Sequence, residues 1–287
     1  MNREMQAVWD AITEQDIDAF WRDGAIALRG VIGAQWRELI AQGIDKTVAK
    51  PTPYGRVQSK PDDPGWFFTD YYMWHQYEEF ETVARNGPGG TIAAKLLRSK
   101  QVNYFYEGLF LKEPGTARAS DWHQDQPYYN VDGRQICVVW IPLDPVTKET
   151  TLRVVKGTHN MGKWYRPIFF ASDQELKGYE RFEKIPDFDA DPGAEIMEFP
   201  LEPGDCIVFH PLCVHGARGN PLPIRRRAVQ TVFLGDDCVY GERGVEVEPR
   251  IVGHDFKPGD RLGDVETVFP KVWPRPDTES GLAEAAA

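Results

Sequence analysis

The chain has 287 residues, enough to bury one substantial core, and all-β barrels or sandwiches of this length commonly form a single domain. Its formal net charge of −11, from 33 basic and 44 acidic residues, opposes a role in binding nucleic acid or anionic lipid. No stretch approaches the roughly 18 unbroken apolar residues of a membrane span, and the first residues lack the apolar centre of a signal peptide, so no membrane attachment is expected.

The four cysteines are scattered along the chain, with no C-x-x-C pair among Cys137, Cys206, Cys213 and Cys238. This distribution is typical of reduced, buried thiols rather than of a disulfide framework or a structural zinc site. We therefore expect a cytoplasmic protein.

The first hundred residues are predicted to be mainly helical. Thr13 can cap a helix that Gly24 ends, and a short apolar strand follows at residues 25–28. Residues 35–48 carry apolar side chains at near-helical spacing, and residues 92–98 are predicted to form another helix. These helices are expected to buttress another part of the fold.

Residues 51–70 are rich in proline and glycine and lead into an aromatic run at residues 66–74. A loop of this length with its own aromatic side chains is often a lid or a binding loop. Aromatic packing beneath a surface loop explains the same pattern equally well, so both interpretations stay open at this point.

From residue 101 the pattern changes to short β runs separated by proline and glycine turns, at residues 102–111, 136–141, 152–155, 206–209 and 228–234. Short strands without alternating helices favour a sandwich or jelly roll over a parallel α/β sheet. The predicted organisation is one catalytic domain over residues 1–287. It comprises a helical buttress with a possible lid (1–100), a jelly-roll core (101–240) and a C-terminal extension (241–287) that frays from residue 279.

The segment around His123 offers two metal ligands at close spacing. In an extended strand the side chains of His123 and Asp125 point to the same face, while Gln124 points away. A histidine and a carboxylate can thus converge on one ion. An H-x-D pattern by itself is common by chance, so the interpretation depends on a third ligand.

His215 is the candidate third ligand, because it follows a turn and an apolar strand in the segment 204–216. Two histidines and one carboxylate form the facial triad that leaves positions open on iron(II). These ligand types suit iron(II), and the absence of paired cysteines opposes a structural zinc site.

Arg226 lies 11 positions beyond His215, on a predicted strand. A 2-oxoacid bound to iron needs its far carboxylate fixed, and the planar guanidinium of arginine can hold a carboxylate at two points. For the neighbouring Arg225 and Arg227, a solvated strand edge is an equally good explanation.

Together these segments resemble the phytanoyl-CoA dioxygenase family of iron(II)- and 2-oxoglutarate-dependent oxygenases, over roughly residues 13–235. The resemblance is carried by His123-Gln124-Asp125, Phe209-His210-Pro211-Leu212, Val214-His215-Gly216, Asn220, Arg226 and the segment 152–159. It implies a mainly β fold with flanking α-helices, built on a double-stranded β-helix, which is a cupin-like jelly roll.

The resemblance also implies a cofactor set. Iron(II) would be held by the three candidate ligands His123, Asp125 and His215, and Arg226 would bind the remote carboxylate of 2-oxoglutarate. Gln124 and Trp140 would border this cosubstrate, dioxygen would be the second cosubstrate, and ascorbate is a candidate stimulant.

Ala217 departs from the family, in which a serine two positions after the distal histidine often helps to hold the carboxylate. Threonine or tyrosine hydroxyls elsewhere are the candidate substitutes. His210 matches a nonligating histidine of the family, so we expect a buried structural role for it. His159 is interpreted as a hydrogen-bonding turn residue, and His75 and His254 have no neighbouring ligand pattern.

The expected reaction is hydroxylation of a C–H bond in a small-molecule substrate, with release of succinate and CO2. Related halogenases carry a small residue in place of Asp125, so its presence favours oxygen transfer, although desaturation, epimerisation or cyclisation would use the same cofactors. Tyr128 and Tyr129 closely follow the metal strand and are candidate substrate contacts. Ordinary packing explains each tyrosine equally well.

Four basic residues, Lys112, Arg118, Arg153 and Lys163, are candidates for recognising an acid group. Two other interpretations of the whole chain are a cupin-like metalloenzyme that does not use 2-oxoglutarate and a non-catalytic jelly-roll binding protein. The intact triad and Arg226 oppose both. The sequence does not fix the substrate or the oligomeric state.

Overall fold

The computed structural model describes residues 1–168, 177–244, 251 and 253–275; the predicted frayed tail lies outside them. The helices are α1 (Arg3–Ala11), α2 (Glu14–Asp23), α3 (Ala34–Ala49), α4 (Glu78–Asn86) and α5 (Gly89–Leu97). The longest of these has 16 residues, and no helix in the described part is long and apolar enough to cross a membrane.

The strands are β1 (Ala25–Leu28), β2 (Arg56–Val57), β3 (Phe67–Tyr71), β4 (Val102–Lys112), β5 (Ser120–His123), β6 (Val131–Asp132), β7 (Ile136–Pro142), β8 (Leu152–Val155), β9 (Ile196–Glu198), β10 (Cys206–Phe209), β11 (His215–Ala217), β12 (Arg226–Leu234), β13 (Val239–Tyr240) and β14 (Lys271–Trp273). An eight-stranded sheet has the order β1-β10-β7-β12-β4-β3-β2, with β14 also paired to β4. A four-stranded sheet has the order β5-β11-β8-β9, and β13 pairs with β6. All of these strand pairs are antiparallel.

The two faces of the large sheet serve different cores. In β7 the side chains of Val139 and Ile141 join the apolar cluster that includes the helices, whereas Val138 and Trp140 join the cluster that includes Leu152 of the smaller sheet. This is the two-residue alternation expected of a strand that is covered on both faces. The arrangement confirms the predicted jelly roll with flanking helices, and it turns Trp140 toward the space between the sheets.

The helix α2 begins and ends where the sequence indicates. Thr13 and Asp16 form a reciprocal capping box at the start of α2, and Gly24 ends the helix with a φ of 88°, a left-handed conformation that favours glycine. The strand β1 then follows at once and pairs with β10. The strand β1 that follows α2 therefore forms an edge of the large sheet.

Residues 51–70 are more regular than the sequence suggests, because they contain β2 and the start of β3. The aromatic run does not form a lid as a whole: Phe67, Phe68 and Trp74 are buried. Ordinary packing is thus the right interpretation for these three rings. The loop and strand nevertheless contribute Tyr54 and Tyr71 to a cavity between the sheets.

Glu107 on β4 is a buried carboxyl group that accepts hydrogen bonds from the backbone N–H of Trp74 at 2.6 Å and the hydroxyl of Tyr104 at 2.5 Å. Burial raises the pKa of Glu107 from 4.5 to about 7, although both hydrogen bonds act in the opposite direction. The folded protein therefore binds this proton more tightly than the unfolded chain does.

This difference predicts a pH-dependent stability. Between pH 4.5 and about 7 the folded state binds more protons than the unfolded state at Glu107, so the free energy of unfolding falls as the pH rises. The expected loss is roughly 3 kcal/mol. Glu107→Gln should shrink the difference in stability between pH 5 and pH 8 in denaturant titrations, whereas the exposed control Glu38→Gln should not. An unchanged difference in Glu107→Gln would assign the pH dependence to other groups.

Candidate metal and cosubstrate site

His123 and His215 meet because their strands pair. His123 ends β5, His215 begins β11, and the two residues are direct partners in the register of the smaller sheet. Their ring centroids lie 4.2 Å apart. Antiparallel pairing thus brings together two residues that are 92 positions apart in the sequence.

Asp125 reaches the same place by a different route from the one predicted. The strand ends at His123, and Asp125 has helical dihedrals of −78° and −42° at the start of a 3₁₀ turn. Its backbone N–H donates to the carbonyl of Pro211 at 2.8 Å, which ties the turn to the loop before His215. The strand-end turn, and not an extended i, i+2 pair, therefore directs the carboxylate toward the histidines.

The three side chains offer ligand atoms that all lie within 4.8 Å of one another. Asp125 Oδ1 lies 3.4 Å from His123 Nε2 and 3.5 Å from His215 Nε2. His123 Nδ1 lies 2.7 Å from the carbonyl of Asp121, and His215 Nδ1 lies 2.9 Å from that of Cys213. A carbonyl oxygen only accepts hydrogen bonds, so Nδ1 of each histidine ring carries the proton. The lone pair on Nε2 of each ring is therefore directed toward the space between the three side chains.

The second carboxylate oxygen of Asp125 makes the fit to a cation stronger. Asp125 Oδ2 is buried and has no hydrogen-bond partner among the described residues. A buried carboxylate facing two imidazole lone pairs fits a divalent metal ion, and this set of ligand types suits iron(II).

Arg226 is the first residue of β12 and is buried beside Trp140, with 5.7 Å between its guanidinium carbon and the ring centroid. Within the described ranges no carboxylate lies within 4.0 Å of its guanidinium group. Its neighbours Arg225 and Arg227 differ, since they pair with Glu113 and Asp144. Burial lowers the pKa of Arg226 to about 10. A buried cation without an anionic partner is a site prepared for a carboxylate.

One cavity contains both the triad and Arg226. Its other lining residues are Tyr54, Arg56, Gln58, Tyr71, Tyr106, Phe110, Ser120, Tyr128, Tyr129, Trp140, Leu152, Ile168, Gly216, Ala217 and Gln230. Trp140, predicted to border the cosubstrate, and Tyr128 and Tyr129, predicted as substrate contacts, are thus all brought to this cavity. Tyr128 donates to the carbonyl of Ile168 at 2.5 Å, and the hydroxyls of Tyr129 and Tyr106 lie 2.8 Å apart.

Gln124 is not brought to this cavity. Its side-chain amide donates to the carbonyls of Lys163 and Leu212 at 3.1 and 2.8 Å, and its oxygen accepts from the backbone N–H of Tyr165 at 2.7 Å. These bonds join the metal loop to two neighbouring segments. The expectation that Gln124 borders the cosubstrate therefore does not match its position, whereas its direction away from the metal does.

His210 and His159 also lie apart from the triad. His210 Nδ1 accepts from the backbone N–H of Leu212 at 3.1 Å, and its Nε2 lies 3.0 Å from the carbonyl of Arg134. Burial lowers the pKa of His210 to about 3, so the ring is neutral. His159 Nε2 lies 3.1 Å from the carbonyl of Trp21. Both histidines have the hydrogen-bonding roles that were expected.

Three of the four basic residues singled out for acid recognition are engaged elsewhere, whereas Nε of the fourth, Arg118, is buried without a hydrogen-bond partner among the described residues. Lys112 donates to the carbonyl of Arg218, Arg153 pairs with Asp189, and Lys163 pairs with Glu183. None of the four candidates is among the residues that line the cavity. The cavity's second arginine is instead Arg56, which sequence reasoning missed because only the length and composition of its loop gave a signal.

The comparisons with known proteins agree with this geometry. The phytanoyl-CoA dioxygenase (PhyH) family matches residues 20–228, and the chain belongs to this family, as the motifs indicated. Among curated relatives, a probable phytanoyl-CoA dioxygenase of Caenorhabditis elegans is 29% identical over 128 residues, which are 41% of this chain and 37% of the relative. The peroxisomal phytanoyl-CoA dioxygenase of Homo sapiens is 26% identical over 149 residues, which are 47% of this chain and 40% of the relative. The matched segments thus span well under half of each relative.

Solved structures share the fold over most of the chain. The non-heme α-ketoglutarate-dependent carbocyclase SnoK from nogalamycin biosynthesis has a TM-score of 0.70 at 17% identity, over 92% of this chain and 98% of its own. EctD from S. alaskensis with 2-oxoglutarate and 5-hydroxyectoine has a TM-score of 0.64 at 19% identity, over 88% of this chain and 86% of its own. These similarities support the jelly-roll assignment.

Proposed function

We propose that this chain is an iron(II)- and 2-oxoglutarate-dependent oxygenase that hydroxylates a C–H bond of a small-molecule substrate. The observation that carries the proposal is a buried, unpaired Arg226 in the same cavity as the His123, Asp125 and His215 cluster. A metalloenzyme that did not use 2-oxoglutarate would have no evident anion for this arginine. Family membership supports the same cofactor set.

The bound cofactors supply the oxidation, in which 2-oxoglutarate and dioxygen become succinate, CO2 and one oxygen atom inserted into the substrate C–H bond. The chain's own residues bind and orient. Asp121 and Cys213 fix the histidine rings through their carbonyls. Arg226 would hold and direct the dicarboxylate, and the ring of Trp140 lies beside its guanidinium.

Ser120 is a candidate for the hydroxyl that the family serine would provide at Ala217. Ser120 and Ala217 are cross-strand partners in the pairing of β5 with β11, and both line the cavity. A hydroxyl at Ser120 can therefore serve the same part of the cavity from the opposite strand.

This assignment predicts that Ser120→Ala weakens 2-oxoglutarate binding by about tenfold, the usual effect of one hydrogen bond to a charged group. Iron(II) affinity should not change. Adding Ala217→Ser to Ser120→Ala should recover most of the loss, and calorimetric titration of 2-oxoglutarate into the metal-loaded variants measures both effects. An unaltered Kd in Ser120→Ala would exclude Ser120 from the cosubstrate site.

The proposed function is tested by succinate release with iron(II), ascorbate and oxygen across fractionated small-metabolite pools. A fraction that stimulates succinate release and yields a product with one added oxygen atom, labelled from ¹⁸O₂, supports hydroxylation. A stimulating fraction whose product lacks the label would instead indicate desaturation, epimerisation or cyclisation. Metabolite-dependent succinate release that persists in Asp125→Ala would contradict the assigned metal centre.

The proposal also covers the cellular compartment and the domain organisation of the protein. The four cysteines are free and buried, as is usual for proteins of a reducing compartment such as the cytoplasm. We expect the helices and the jelly roll to act as one catalytic domain, with a small molecule as the partner.

A further inference from the structure

We propose that Arg56 binds an anionic group of the substrate, so that the natural substrate is a small organic acid with an apolar or aromatic body. This inference rests on the proposed function and concerns the outer part of the same cavity. It adds a substrate class that neither the family nor the curated relatives assign to this chain.

Arg56 lies at the entrance of the cavity, whereas Arg226 lies within it. Arg56 belongs to β2, which pairs with β3 at the end of the large sheet, and it lines the cavity together with Tyr54 and Gln58. The residue is exposed, while Arg226 is 3% exposed. The two arginines therefore occupy an outer and an inner position of one cavity.

The guanidinium group of Arg56 is held in place without being neutralised. One terminal nitrogen donates to the carbonyls of Pro53 and Gly55, each at 2.8 Å. Across the described part of the chain, no carboxylate lies within 4.0 Å of this side chain. The nearby Asp70 is occupied, since it accepts from the backbone N–H groups of Thr52 at 2.9 Å and Tyr71 at 2.8 Å. Arg56 thus keeps a fixed, unpaired charge.

The balance of charge in the cavity shows the consequence of the unpaired charge of Arg56. The charged side chains of the lining are Arg56, Arg226 and Asp125, apart from the histidines. When iron(II) and 2-oxoglutarate are bound, the metal and Arg226 together balance Asp125 and the two carboxylates of the cosubstrate. Among the described residues that line the cavity, Arg56 then carries the remaining uncompensated charge, in a protein whose net charge is −11. Such a local field attracts an anion to this entrance.

The other residues that line the cavity indicate the chemistry of the rest of the substrate. Tyr71, Phe110, Tyr128 and Leu152 present mostly apolar surface to the cavity. An acid anchored on Arg56 would place its hydrocarbon part along these walls and toward the triad. Two-point recognition by a guanidinium favours a carboxylate or a phosphate at the anchored end.

The experiment compares 3-phenylpropionate with its neutral isostere 3-phenylpropionamide. Each is titrated anaerobically into protein loaded with iron(II) and saturated with 2-oxoglutarate, and binding is measured by calorimetry. The wild type should bind the acid about tenfold more tightly than the amide. Arg56→Gln should remove this preference by weakening the acid alone, Arg56→Lys should retain part of it, and the neighbouring exposed control Lys60→Gln should leave it intact.

The same titrations distinguish a failure of the role of Arg56 from a failure of the proposed function. Normal 2-oxoglutarate binding with no preference for the acid in the wild type would overturn the role of Arg56 and leave the proposed function standing. An equal preference in Arg56→Gln would also overturn it. Failure of the metal-loaded wild type to bind 2-oxoglutarate at all would instead contradict the proposed function.

Discussion

Asp125→Ala is expected to abolish turnover and to weaken iron(II) binding by more than about 100-fold, since loss even of groups that support metal ligands costs about 10–100-fold. The reason is that Asp125 directs a ligand oxygen at the same place as the ligand nitrogens of His123 and His215. Without the carboxylate, two neutral imidazoles remain, and a buried divalent ion has no anionic ligand from the chain. Iron content after dialysis and succinate release measure the two effects.

The fold should survive this substitution. The backbone N–H of Asp125 still bonds the carbonyl of Pro211, and the turn after β5 keeps its connection to the loop before His215. The circular dichroism spectrum and cooperative melting should therefore match those of Asp45→Ala, an exposed aspartate on α3 whose loss should leave iron binding and turnover unchanged. Full activity in Asp125→Ala would end the assignment of the triad.

Arg226→Gln is expected to weaken 2-oxoglutarate binding by roughly 100- to 1000-fold, because truncating one partner of a buried charge pair costs about 3–4 kcal/mol. Iron(II) binding should be retained, since the guanidinium is not one of the converging ligand atoms. Anaerobic calorimetry with 2-oxoglutarate measures the first effect, and iron content measures the second.

Two controls give this prediction its specificity. Arg225→Gln removes the adjacent arginine, whose partner is Glu113, and should leave 2-oxoglutarate affinity unchanged. The protein without cosubstrate should not be destabilised by Arg226→Gln, because a buried guanidinium without an anionic partner is itself costly to the folded state. Equal affinity for 2-oxoglutarate in Arg226→Gln and the wild type would place the cosubstrate elsewhere.

Local signals in the sequence account for much of the fold. Thr13 and Gly24 marked the ends of α2 because capping and left-handed termination depend on adjacent residues. The strands at residues 152–155 and 206–209 were predicted with their observed bounds, since the second is a continuous apolar run and the first is apolar except for Arg153. The proximity of His123 and His215 was foreseen from the types of ligand, although their direct pairing in the register was not.

The elements that were missed depend on tertiary contacts. The helix α1 packs Met5 in the core and stacks Trp9 on Trp273, which lies at the other end of the described chain. The two-residue strand β2 has no periodicity of its own and exists because Arg56 and Val57 pair with β3. The strand β2 leaves no local pattern and could not be predicted, whereas α1 carries a local signal that was missed, because the side chain of Asn2 accepts from the backbone N–H of Met5 at its start.

The same limit applies to the site. The motif identified Asp125, but the turn that directs its carboxylate follows from a bond to Pro211. The charges of Lys112, Arg153 and Lys163 were visible in the sequence, whereas their partners were not. Only the structure distinguishes these cations, which already have partners, from Arg56. This arginine lines the cavity although its segment lies far from the motifs in the sequence.

Iron(II) and 2-oxoglutarate are expected to share the cavity formed by the triad and Arg226. The most direct test is anaerobic titration of 2-oxoglutarate into the iron(II)-loaded protein, followed by visible absorption and calorimetry. We expect one equivalent of 2-oxoglutarate per iron, with a charge-transfer band that is lost in Asp125→Ala and requires far more 2-oxoglutarate in Arg226→Gln. Iron retained by the triad without any 2-oxoglutarate binding, or a band that forms equally well in Arg226→Gln, would contradict it.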